Sequence, residues 1–144
     1  MEYPTYRGLM DVNVCSRKIR KVKKLLIYGT CVRDEYPEIF STFSKDRIPL
    51  AVCLEKEHFN MVALKLASLV ARLDLEELVV LTVDGSPHCV QLHMVVEEVA
   101  KITRKLKARH FVIEEGKAIE VSEKAVKTAR YLSRIQKLLN KASL

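Results

Sequence analysis

A chain of 144 residues and 16.5 kDa can bury one core without metal or disulfide staples, so any metal would serve function before structure. Apolar residues make up 49% and charged residues 30%, with four Gly, four Pro and no Trp, which excludes a disordered or loop-dominated protein. The net charge of +7 comes from Lys and Arg spread over several segments and mixed with Asp and Glu, so solubility explains it as well as nucleic-acid binding does.

Four cysteines without close spacing, in a chain with no charged and apolar leader, point to a reducing cytoplasm with free or ligating thiols. No apolar run is long enough to span a bilayer, so a soluble cytoplasmic protein with no membrane partner is expected. High Lys, Arg and Glu with little Gln and Asn resembles thermophile proteomes.

Residues 1–16, with Tyr3, Pro4, Tyr6, Gly8 and Asn13, show no sustained period and read as an irregular arm ending near Cys15. The densest basic run follows at 17–24, where a solvated face is expected because no aromatics are interleaved. Leu25-Leu26-Ile27-Tyr28 is a continuous apolar run closed by Gly29, as in a parallel strand covered on both faces. Tyr36, Ile39, Phe40 and Phe43 then give one short crossover helix over 34–43, with Pro37 tolerable near its start.

Residues 48–54 form the second expected strand, whose Pro49 belongs at its beginning or beside an unpaired edge. Phe59, Val62, Ala63, Leu66, Ala67, Val70 and Leu73 recur three or four apart and mark a helix face, which Leu64 and Leu69 widen toward full burial. A third strand spans 78–83. The next helix enters through Asp84, Ser86 and Pro87 and carries Val90, Met94, Val95, Ile102 and Leu106 near one face. His110 to Ile113 and Ala118 to Val121 predict a hairpin at the sheet edge, turning near Gly116. One last helix, from Ser122 to about Leu139, has an apolar stripe to pack on the sheet or on a partner subunit. Alternating strands and helices predict one α/β domain over 1–144, with a mostly parallel open sheet, right-handed crossover helices and a C-terminal helix.

Strand-to-helix loops of such a sheet emerge on one edge, where ligands gather. Cys31, Cys53 and Cys89 fall just past three apolar strands, and an arm folded over that edge would add Cys15 as a fourth thiol. Four thiolates can bind zinc or an iron–sulfur cluster. No C-x-x-C occurs, and cysteine is also a common filler of small buried spaces. Cys89, in the first turn of a helix, is expected to have a lowered pKa. His88 beside it, and His93 four positions on, can face the same site. Asp84 reads as a helix cap or a cofactor contact, Arg33 as an anion or thiolate partner, and His58 as part of the same polar edge. Neither a glycine-rich phosphate loop nor a cysteine phosphatase loop is present.

Gly29-Thr30-Cys31 and Asp84-Gly85-Ser86-Pro87-His88-Cys89 resemble the cluster-bearing, flavodoxin-like small subunits of nickel–iron hydrogenases and their complex I relatives. They also resemble small ferredoxin-like proteins of anaerobic prokaryotes. The resemblance covers residues 24–105. It implies a flavodoxin- or Rossmann-like sheet of three to five strands and a 4Fe-4S cluster, with Cys31 and Cys89 the best-matched ligands, Cys53 a third and Cys15 a substitute fourth. Those families place two cysteines on the first loop, where this chain has Cys31 alone.

Three functions follow as expectations. The first is an iron–sulfur redox module that passes electrons to a partner protein, with Arg33, Asp84, His88 and His93 around the cofactor. The second is a thiol enzyme or zinc protein using Cys89. The third is a nucleic-acid or nucleotide-binding domain, or an interaction domain without metal that forms homo-oligomers through the C-terminal helix.

Overall fold

Leu25, Leu26, Ile27 and Tyr28 are all fully buried within strand β1 (Lys24–Gly29), and Leu78, Val79, Val80 and Leu81 are equally buried within β3 (Glu77–Val83). Side chains alternate across a strand, so such runs survive only where both faces of a sheet are covered. The structure is a computed structural model and describes residues 7–143. Tyr3, Pro4 and Tyr6 of the expected arm lie outside them.

Five strands form one sheet in the order β2-β1-β3-β4-β5. Strand β2 (Ile48–Val52) and β3 flank β1 in parallel, β4 (Ala108–Glu114) runs parallel to β3, and β5 (Lys117–Val121) closes the sheet antiparallel to β4. The expected open, mostly parallel α/β architecture is therefore found at the upper end of its strand count. Glu115 and Gly116, both at positive φ, form the two-residue loop of the β4–β5 hairpin, a type I′ geometry that matches strand twist.

Alternation divides the core into two. Leu25, Ile27, Leu78 and Val80 face the helices α4 (Phe59–Arg72) and α5 (Pro87–Thr103), together with Ile19 of α1 (Arg17–Val22). Leu26, Tyr28, Val79 and Leu81 face the helices α2 (Thr30–Glu35) and α3 (Pro37–Ser44), where Ile39, Phe40 and Phe43 pack. Each fully buried Leu, Ile or Val contributes ~1.5–3 kcal/mol relative to exposure.

Several expected elements differ in detail. The single crossover helix over 34–43 is two helices: Tyr36 leaves the helical region just before Pro37, as the residue before a proline tends to. Strand β2 ends at Val52, leaving Cys53 and Leu54 in the loop. Leu64 does not widen the buried stripe of α4, and Phe59 and Ile102 are also exposed. The arm is less irregular than expected. It carries a 3-10 turn at Leu9–Asp11, buries Leu9 and bridges Gly8 to Ala51.

The last helix is also two, α6 (Glu123–Thr128) and α7 (Leu132–Ala142). The Ser122 hydroxyl caps α6 by accepting from the Ala125 N–H at 3.0 Å, and Val126 is buried. Ser122→Ala is expected to remove about 1 kcal/mol, read as a fall of about 3 °C in Tm. α6 packs against α5, and α7 buries no residue, so this segment does not form the continuous sheet-packed helix that its apolar stripe predicts.

Candidate functional site

The strand order reverses between β1 and β3: the chain leaves β1 for β2 on one side, then returns to β3 on the other. Loops at such a switch point diverge and leave a crevice at the carboxyl ends of the strands. A cavity of about 260 Å³ lies there. Gly29, Thr30 and Cys31 line it from the end of β1, Val52 to Glu55 from the end of β2, and Val83 to Ser86, His88, Cys89 and Leu92 from the β3–α5 junction.

Local bonding fixes each cysteine. Cys31 follows Thr30 in the first turn of α2 and is exposed. Cys53 stands in a tight turn, its carbonyl accepting from Glu57 N–H at 2.8 Å while its own N–H donates to the Glu57 carboxylate at 2.9 Å. Gly85, at φ 112°, allows β3 to turn sharply, and Ser86 then caps α5 by accepting from His88 N–H at 3.2 Å. Asp84 is thus not the cap, and it is one of the residues lining the cavity.

Cys89 is half-buried. Burial pushes its thiol up, opposed by a hydrogen bond with Ser86 and reinforced by the neighbouring Cys31; the Val83 backbone and Thr82 hydroxyl oppose the rise further. Burial thus raises the Cys89 thiol, against the lowering expected from its place in the first turn of a helix.

The four cysteines do not converge. Cys15 lines a separate cavity with Arg17, Arg47, Ile48 and Pro49, where β2 begins rather than where it ends. The arm therefore does not deliver a fourth thiol. Among the described residues no group of three His, Cys, Asp or Glu side chains stands close enough to hold a metal ion. What Cys31, Cys53 and Cys89 share is a cavity, not a point. A single zinc ion does not fit that arrangement.

Three other expected site residues point elsewhere. Arg33 donates to the Tyr28 hydroxyl at 3.2 Å, pairs with Asp34 at 3.5 Å and lines a different hollow beside Pro37 and Phe40. His58 precedes α4 and lies outside the cysteine cavity. His93 is turned inward. Its Nε2 lies 2.8 Å from Thr82 Oγ1, and its Nδ1 lies 2.9 Å from Nδ1 of His110. His110 Nε2 in turn donates to Glu97 Oε1 at 2.6 Å.

All four side chains of this chain of bonds are buried. Only one proton fits between the two facing Nδ1 atoms, so both rings cannot be cationic. Burial, with His110 beside it, pushes the His93 pKa down to about 3. The sequence carried a signal for this cluster in His93 and Glu97, four apart on an otherwise apolar stretch of α5, with His110 inside a strand.

An open parallel sheet with a crevice at its switch point defines a doubly wound α/β domain. The chain belongs to the Rossmann-like domain family, which matches residues 18–143. No curated protein and no solved structure matches it. No helix among the described residues is long and apolar enough to cross a membrane.

Proposed function

We propose that the protein is a small redox module that holds an iron–sulfur cluster in the switch-point cavity, with Cys31, Cys53 and Cys89 as thiolate ligands and His88 as the remaining donor. The observation that carries this reading is the arrival of three cysteines, from three separate strand ends, at one cavity. A multi-iron cluster is larger than a single ion, so it suits thiols spread around a space rather than gathered at a point. Imidazole can replace thiolate on a cluster iron, and His88 lines the same cavity. Asp84 supplies a carboxylate at the cavity wall, where it tunes the charge around the cluster.

The cluster supplies one-electron chemistry, and the chain positions it at an open edge from which a partner protein can receive the electron. The likeness of Gly29–Cys31 and Asp84–Cys89 to hydrogenase and complex I small subunits supports the same reading.

Anaerobic reconstitution with iron and sulfide tests it. The expected product is brown and contains iron and acid-labile sulfide. Cys31→Ser, Cys53→Ser and Cys89→Ser should each lose most of both, whereas Cys15→Ser should retain them. A colourless, iron-free product would sink the proposal, and equal loss in Cys15→Ser would sink the ligand assignment.

A further inference from the structure

Lysine and arginine occur without intervening Asp or Glu in two stretches, six of them at 17–24 and six from Lys124 to the end. Lys127 and Arg130 are paired with Glu123 and Glu98. Arg134, Lys137 and Lys141 of α7 meet no carboxylate among the described residues.

The same helix carries Leu132, Ile135, Leu138 and Leu139 three or four positions apart, which places them on one side. Leu132 is 81% exposed, Leu138 55% and Leu139 54%. Gln136 and Asn140 bond to each other at 2.9 Å on the polar side. A helix with leucines on one side, cations on the other and no buried residue matches the pattern of helices that lie in a membrane surface.

We propose that α7 docks the protein onto an anionic lipid bilayer, its leucines entering the acyl boundary and Arg134, Lys137 and Lys141 reaching the lipid phosphates. This concerns lying on a membrane, not spanning one, and it depends on the separation of α7 from α6, which the sequence pattern did not reveal. Phosphates alone would satisfy the cations, but a nucleic-acid duplex offers no apolar layer for the leucines. A second copy would cover the leucines yet bring another segment without acidic residues beside this one. The bilayer surface provides both partners at once.

Flotation of the full chain with vesicles tests the proposal, using phosphatidylglycerol in one arm and phosphatidylcholine in the other. At about 0.05 M salt, binding to phosphatidylglycerol is expected to exceed binding to phosphatidylcholine about tenfold or more, and to fall steeply by about 0.5 M. Leu138→Glu with Leu139→Glu should reduce it about tenfold, as should Lys137→Glu with Lys141→Glu. Both pairs are exposed, so the thermal unfolding midpoint of the variants should stay close to that of the wild type. Equal binding to the two lipids, or full binding by the leucine variant, would overturn the proposal. So would a dimer that dissociates in the leucine variant without any vesicle binding, or duplex binding that survives in that variant without vesicle binding.

Discussion

Replacing His110 by Phe is expected to destabilise the protein by about 3 kcal/mol, the largest effect of any single change outside the apolar core. His110 is 1% exposed and bonded on both ring nitrogens, to His93 and to the Glu97 carboxylate. Phenylalanine fills a similar volume but offers no donor, which leaves a buried carboxylate with its 2.6 Å hydrogen bond missing. Urea unfolding followed by circular dichroism reads the loss as a lower midpoint at unchanged slope. The partner variant separates pairing from packing. His110→Phe with Glu97→Leu should be more stable than His110→Phe alone, because removing both ends of a buried polar pair costs less than orphaning one. A double variant less stable than the single would show that Glu97 is held by something other than His110.

Mild acid should act on the neighbouring ring. His93 takes up a proton near its ordinary 6.5 once unfolded, whereas in the fold its pKa is pushed down to about 3 by burial and by His110. Between those values the unfolded chain binds more protons than the folded one, so stability is complete above about 6.5 and is lost as the pH falls toward 3. At pH 5 the loss relative to pH 7.5 is about 2 kcal/mol. His93→Gln should be less stable at neutral pH, with a flatter profile across this window. Glu77, Glu120 and Glu123, whose carboxyl groups are held below the usual range by Arg47, Arg109 and Lys127, lose their contribution only at lower pH. A wild-type profile that is level from pH 7.5 to pH 5 would contradict the buried, neutral state of His93.

The sheet was legible because its two central strands are unbroken apolar runs, which buried parallel strands require and few other elements use. The crevice was legible for a related reason: once β1, β2 and β3 are parallel, their following loops must share an edge, and Cys31, Cys53 and Cys89 go with them. Cys15 was not legible, because an arm without periodicity gives no direction, and it stands instead where β2 begins. His93 lies four positions after Cys89, yet its ring faces Thr82 and His110 across the sheet, and helical spacing alone does not reveal that. Its partner His110 arrives from a strand seventeen residues later, through a β3–β4 register that pairs Val80 with His110. The breaks at Tyr36 and near Arg130 were hidden because apolar spacing continues through them.

The sheet has two outer strands, and they are guarded differently. On β2, Pro49 has no N–H to offer, while the Ala51 N–H already donates to the Arg7 carbonyl at 2.9 Å. An incoming chain would find part of that ladder missing and part occupied. On β5 the protection is electrostatic, from Lys117 and Glu120, with Ile119 exposed between them. The β2 ladder is thus blocked through its backbone, whereas β5, on the hairpin side of the sheet and away from the cysteine crevice, is guarded by charge alone.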